Sequence, residues 1–525
     1  MIWYLVFWTI FITMGNFQFG YVNHTMSVLW DLTPCIYHFD QEDRRSYNTV
    51  ASFVFPIMSA LGGAFSWKLS RYGKRKALLI SAAICIIGGC LLLIRSHHAM
   101  IISRAIIGLG FGITNAVAPL FVFEIARAQY IEYLIVCVQV WLNIGFLIPL
   151  IFREFLPLYD IPDVIDVNYC LYIHEDDILW REMYSIIPVV SGLQFLALLV
   201  LFRKENPVYL EHVRPRNDLV SSGSEEIGGG AIITRINNSL EVQQSFEKPR
   251  TSMEKDTWLN LWEISMRKKV IACVIIRSFQ QLTGVNIIQN YALSFFFHTD
   301  ATFLNLRFLS FATSLVMSVV AIIFLKNFGR KTLFLYGLLI ICLCCCVLFQ
   351  LTDQLTVVNA RVPIMRSISN FSSFIFIVLF MFTFWFTLSS GPLMYSAELL
   401  TDKGMAVVTF FHWALNSLMR ILPILNIAII DLFGVITRFR TANSIFLFIF
   451  SGMSMLGFIC TTLYLRETKG RTKKDITQDF KNSTFNAEES HIFRKKVVLE
   501  DFMRAIRPHK RKFNLRNLCQ RKDAI

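Results

Sequence analysis

Gln280-Gln281-Leu282-Thr283-Gly284-Val285-Asn286-Ile287-Ile288-Gln289-Asn290-Tyr291 sets amides, a hydroxyl and a phenol inside an apolar run long enough to cross a membrane. In hydrocarbon each unsatisfied polar group costs roughly 2–7 kcal/mol, so such a cluster must face other helices or a wet cavity. Gly284 weakens the helix and lets a backbone or a ligand approach closely. A helix that is polar and breakable near the bilayer midplane has the makings of a binding site. The alternative is an interhelical hydrogen-bond seam, but seven polar residues in twelve exceed what packing usually requires.

The rest of the chain agrees with a membrane setting. Of 525 residues 54% are hydrophobic and 17% charged, with 48 Phe and a mean hydropathy of +0.51. That is more apolar surface than a soluble core needs. Apolar runs of about 17–25 residues recur twelve times, six before and six after a long polar insertion. The expected fold class is therefore an all-α membrane protein of twelve transmembrane helices in two six-helix bundles. The expected divisions are an N-terminal bundle (1–202), a linker with short helices (203–268), a C-terminal bundle (269–465) and a basic tail (466–525). The first run is read as helix one rather than a cleaved signal, because it has no basic n-region and no small-residue cleavage site.

Charge sets the orientation. Arg71, Lys74, Arg75 and Lys76 follow the second run, and residues 466–525 carry seventeen Lys/Arg against eight Asp/Glu. Both segments read as cytoplasmic by the positive-inside rule. Residues 153–183 hold eight acids and two bases and read as an outside loop. Both termini are then cytoplasmic, and the formal charge of +14 reflects topology and contact with anionic lipid, with no nucleic acid partner implied. The twelve cysteines show no metal-ligand or redox spacing. A Cys35–Cys170 disulfide between outer loops is open, as is glycosylation of the Asn23 and Asn370 sequons.

The opening stretch resembles the seventh transmembrane helix of the sugar porter branch of the major facilitator superfamily, which reads Q-Q-x-[ST]-G-x-N followed by aromatics. Gln280, Gln281, Thr283, Gly284, Asn286 and Tyr291 carry the likeness. Ser70-Arg71-Tyr72-Gly73-Lys74-Arg75 and Lys326-Asn327-Phe328-Gly329-Arg330-Lys331 both resemble the D-R-x-G-R-[RK] loop, and their recurrence marks an internal repeat. Arg104 and the later Pro119-Leu120-Phe121-Val122-Phe123-Glu124 resemble the fourth helix. Gly108 and Gly112, four residues apart, permit close helix packing. Glu205-Asn206-Pro207-Val208-Tyr209-Leu210, Gly391-Pro392 with Ala397-Glu398, and Glu467-Thr468-Lys469-Gly470-Arg471-Thr472 resemble three further signatures.

The resemblance implies a carrier with a central site reached from each side in turn, without cofactor, metal or catalytic residues. Gln139, Gln280, Gln281, Asn286 and Asn416 are expected to line that site, since amides both give and accept hydrogen bonds to hydroxyls. Arg71, Arg104, Glu124, Glu205, Arg330, Glu398, Glu467 and Arg471 are expected in gating, with Gly391 and Pro392 as a hinge. Proton-coupled members carry an Asp in the first helix where this chain has Val22, so facilitated diffusion, at the plasma membrane, is expected.

Arg277 and Arg420 stand where glucose transporters have amides, and Trp385 where they have a sugar-binding Glu. An organic anion or acidic sugar derivative is therefore an alternative substrate. A non-transporting sensor is another alternative, because several gate positions depart from the pattern and the tail is unusual. Oligomeric state is not legible in the sequence.

Overall fold

A backbone crossing hydrocarbon must satisfy its own polar groups, so apolar runs of this length close into helices. The computed structural model describes residues 2–29, 36–37, 41–126, 130–155, 178–200, 263–288, 300–358, 363–433, 439–471 and 473–482. Glu205, the Cys35–Cys170 pair, the linker from 203 to 262 and the tail beyond Asn482 lie outside the described residues, as do the Asn370 side chain and Gln289 to Tyr291.

Along the first half run α1 (Ile2–Thr13), α2 (Phe17–Val28), α3 (Gln41–Ser70), α4 (Lys74–Leu92), α5 (His97–Ile125), α6 (Ile131–Phe155) and α7 (Ile178–Val200). The second half has α8 (Ile264–Leu282), α9 (Asp300–Asn327), α10 (Arg330–Val358), α11 (Pro363–Thr387), α12 (Gly391–Leu399), α13 (Asp402–Phe433), α14 (Phe439–Tyr464) and α15 (Lys473–Asn482). With α1 and α2 joined by a 3-10 turn, and α11 and α12 by a short break, these make twelve helical segments among the described residues, followed by the short α15. Ten of them are long and apolar enough to cross a membrane. All described regular structure is helical. Residues Met1–Lys481 form one compact unit, and of the second unit, Asn482–Ile525, only Asn482 is described.

Glycines set how closely the helices meet. A Cβ at Gly108 or Gly112 would collide with the Phe55 or Ser59 carbonyl, so these two positions let α5 lie directly on α3. The halves join where α13 packs on α3 and α9 on α6. Asn143 of α6 donates to Ser318 Oγ at 2.6 Å on α9, a polar tie within that second seam.

Three helix breaks position the site. Met14–Asn16 forms the 3-10 turn between α1 and α2, where Asn16 Nδ2 bonds back to the Thr13 carbonyl at 2.9 Å. α8 stops at Leu282 because Gly284 takes φ +77°, a left-handed conformation that disfavours a side chain, and the chain resumes helix over 285–288. Leu388, Ser389 and Ser390 interrupt the tenth segment. Pro392 then sits in the first turn of α12, where a missing N–H costs nothing and its fixed φ suits a helix start.

Candidate functional site

The break at Gly284 puts Gln280 and Gln281 at the end of α8, with Asn286 just beyond it. Arg277 lies one turn earlier. Helix periodicity aligns His412, Asn416 and Arg420 on one face of α13, and that face meets α8. Gln281 is the hub. Its Oε1 accepts from Asn286 Nδ2 at 2.6 Å and from Asn416 Nδ2 at 2.9 Å. Its Nε2 donates to His412 Nε2 at 3.0 Å. Since His412 Nδ1 lies 3.0 Å from the Arg277 carbonyl, which only accepts, the network assigns the proton to Nδ1 and leaves Nε2 as acceptor.

The chain of bonds extends in both directions. Arg420 Nε donates to Asn416 Oδ1 at 3.1 Å. Arg277 Nη1 donates to Gln280 Oε1 at 3.1 Å, and Gln280 Nε2 to the Ser389 carbonyl at 3.2 Å, an acceptor in the break before α12. Each residue of this chain thus has a protein partner, as the desolvation of polar groups demands.

These residues wall a narrow cavity of about 60 Å³, well under the ~300–1,000 Å³ of open small-molecule sites. From the second half it is lined by Arg277, Gln280, Gln281, Asn286, Trp385, His412 and Asn416, and from the first half by Gln139, Asn115 and the aromatic ring of Phe19. Asn115 is itself held, donating to Asn16 Oδ1 at 3.1 Å and accepting from Trp413 Nε1 at 3.1 Å. Gln139 is buried, lines the cavity and has no hydrogen-bond partner among the described residues. Two donors of lining residues are also unpartnered: Trp385 Nε1 and Arg277 Nε. Leaving a buried donor unmade costs about 1–3 kcal/mol.

Arg420 does not line the cavity. It sits over the Phe19 ring, 5.6 Å from its centroid, and its Nη1 donates to Asn23 Oδ1 at 3.2 Å. Arg104 Nη2 donates to the same oxygen at 3.2 Å, while its Nε and Nη1 bond the Ala51 and Val22 carbonyls at 2.7 and 3.1 Å. Asn23, buried and donating to the Phe19 carbonyl, thereby bridges arginines from the two halves. Nearby, Ser417 Oγ donates to the Phe53 carbonyl at 3.2 Å, a second tie between the halves, from α13 to α3.

The other end of the bundle carries the two glycine-turn loops and is charged. At 1.5 Å per residue, Glu124 lies about 30 Å along α5 from Arg104. Lys74 pairs with Glu124 and, at 3.2 Å, with Asp402 of the second half. Arg330 pairs with Glu132 of the first half at 3.0 Å and with Glu398 at 3.2 Å. Thr468 Oγ1 donates to Glu398 at 2.7 Å. Glu467 accepts from the backbone N–H groups of Arg330 and Lys331 at 2.8 and 3.1 Å, an anionic cap on the first turn of α10. Burial, together with nearby Arg330, holds the Lys469 ammonium below its usual range.

Arg71 stands apart from these pairs, stacked 4.5 Å over the Trp67 ring, and Arg471 pairs with Asp479 of α15. Gly391 packs against the Phe334 ring. Glu132 and Asp402 were not singled out from the sequence, and Lys74 only as a cytoplasmic base in the loop after α3. The available signal was charge at the ends of adjacent runs, which does not say which ends meet.

A model of the sugar (and other) transporter family matches residues 8–480. Hexose transporter 1 of Plasmodium knowlesi is 24% identical over 480 residues, covering 87% of this chain and 89% of that protein. Solute carrier family 2, facilitated glucose transporter member 3, of Oryctolagus cuniculus is 25% identical over 520 residues, covering 93% and 94%. Among solved structures, the proton:xylose symporter XylE bound to 6-bromo-6-deoxy-D-glucose superposes with a TM-score of 0.66 at 20% identity. That match covers 90% of this chain and 98% of that one, a likeness of fold.

Proposed function

Because the chain belongs to the sugar (and other) transporter family, we propose that it carries a hexose or a similar sugar across a membrane by alternating access, as facilitated diffusion. The observation that supports this most is the cavity wall of Gln280, Gln281, Asn286 and Asn416, closed from the facing half by Gln139. Amides suit hydroxyl-rich solutes because each gives and accepts, at about 0.5–1.5 kcal/mol net per bond.

The two ends act as gates. On this reading Glu124, Glu132, Arg330 and Glu398, with Lys74 and Asp402, latch the cytoplasmic side. Glu467 holds the loop before α10 in register, while Arg71 and Arg471 serve that side from its rim. Arg104, Asn23 and Arg420 latch the outside. Bonds between the halves at both ends fit an occluded state. Gly391 and Pro392 supply the bend on which the tenth segment moves. The plasma membrane, with both termini inside, is the setting proposed.

Arg104 supports facilitated diffusion. Its described partners are two carbonyls and an amide oxygen, and the titratable groups near it are the phenols of Tyr37 and Tyr184, which hold their protons at physiological pH. Among the described residues no carboxylate is paired with it to exchange a proton. In proteoliposomes an imposed pH gradient should leave the final level of labelled hexose unchanged. Uphill accumulation would replace the uniport reading with symport.

The relatives do not favour the acidic-solute and sensor alternatives. Physically, Arg420 is engaged outside the cavity and Arg277 is held by Gln280, so the two guanidiniums do not converge on one solute.

A further inference from the structure

The ties between the halves fall at three depths. Arg420 and Asn23 bond near one end, and the pairs Lys74–Asp402 and Arg330–Glu132 close the other. A third set lies between them, on two seams. Where α13 meets the first half, Trp413 seats its ring 4.7 Å from Phe19 and 4.8 Å from Phe111, centroid to centroid, and donates to Asn115 Oδ1 at 3.1 Å. One turn away on α13, Thr409 packs on Gly63 of α3, where a Cβ would lie 2.6 Å from the Thr409 methyl. Where α9 meets α6, Asn143 Nδ2 donates to Ser318 Oγ at 2.6 Å, both side chains fully buried.

At 1.5 Å per residue, Asn115 lies about 16 Å from Arg104 and about 14 Å from Glu124 along α5, and Asn143 about 16 Å from Glu132 along α6. Both seams are thus tied midway between the ends. Rocking displaces a group in proportion to its distance from the axis. A hydrogen bond survives only about 0.5 Å of stretch, so ties at an end must break when that side opens, whereas ties on the axis need not. Two points, one on each seam, fix a line.

We infer that the halves turn about the line joining the Trp413–Asn115 contact to the Asn143–Ser318 contact, and that both ties last through the whole cycle. This rests on the carrier reading and adds to it that Gly63 and Asn143, which do not line the cavity, are positioning residues that hold the axis.

Tethers test this in proteoliposomes of the full chain. Gly63→Cys with Thr409→Cys sets two Cβ atoms 3.1 Å apart, near the ~3.8 Å of a disulfide. Oxidised, this pair should take up labelled hexose within about threefold of its reduced form, because a link on the axis lets the halves turn. Lys74→Cys with Asp402→Cys, joined by a short bis-methanethiosulfonate reagent, should lose uptake by at least about tenfold and regain it on reduction. Wild type treated alike corrects for the native cysteines. Uptake stopped by the Gly63–Thr409 link and restored on reduction overturns the inference alone, as does an end link that leaves uptake intact. Spin labels on exposed Leu61 of α3 and Val319 of α9, beside the two points, give a second reading that does not depend on the cysteine pairs. Their distance should stay a single population with and without hexose, while that between labels on Tyr72 and Phe328 at the charged end splits into two. A Leu61–Val319 distance that spreads as widely as the Tyr72–Phe328 distance overturns the axis. A wild type that carries no hexose overturns the carrier reading and the inference with it.

Discussion

Gln281 holds the site together through one carbonyl oxygen shared by two amides on different segments. Replacing it with Leu removes that acceptor and strands the Asn286 and Asn416 amides in a nearly dry wall. Two lost bonds at about 0.5–1.5 kcal/mol each correspond to roughly a tenfold or greater rise in the apparent KM for hexose. Uptake kinetics with surface expression intact check this, and unchanged kinetics would assign the residue to packing alone. Gly284 is the other exacting position. At φ +77° a side chain is strained by about 1–3 kcal/mol, and a Cβ there would strike the Phe450 ring. Gly284→Ala should therefore lower the melting temperature in detergent; an unchanged value would contradict the left-handed break. Both positions were legible beforehand, because amides and glycine inside an apolar run are costly without a reason. Trp385 Nε1 and the His412 tautomer were not, because each depends on atoms brought together from other helices.

The helices themselves were equally legible, since hydrocarbon thickness dictates run length and Pro392 dictates a break. The ion pairs at the charged end were less so. Arg71 and Lys74 flank the same turn around Gly73, and only the fold turns Lys74 toward Glu124 and Asp402 while Arg71 stacks on Trp67. Glu132 stands two residues into α6, where an acid suits the helix dipole in any protein; its meaning comes from Arg330, 198 residues later. Cutting one acid from each ion cluster, with Glu132→Gln and Asp402→Asn together, should shift the protein toward a state open at the charged end. Spin labels on α5 and α13 near that end should report a longer distance population in the double variant than in the wild type. An identical distribution would mean that the ion pairs do not hold the halves together.

For the whole molecule, two halves meet around one amide-lined cavity, and polar ties join them on both sides of it. A cavity bracketed in this way has a use only if the brackets open one at a time. Lining residues come from both halves, so rocking one half against the other exposes the same amides to each side in turn. Binding alone would not require this, and a fixed receptor would do as well with one bracket permanently shut. Counterflow tests the difference. Proteoliposomes preloaded with unlabelled hexose and diluted into a trace of labelled hexose should show a transient overshoot of internal label, lost in Gln281→Leu. Saturable hexose binding with no overshoot would contradict alternating access as the protein's central activity.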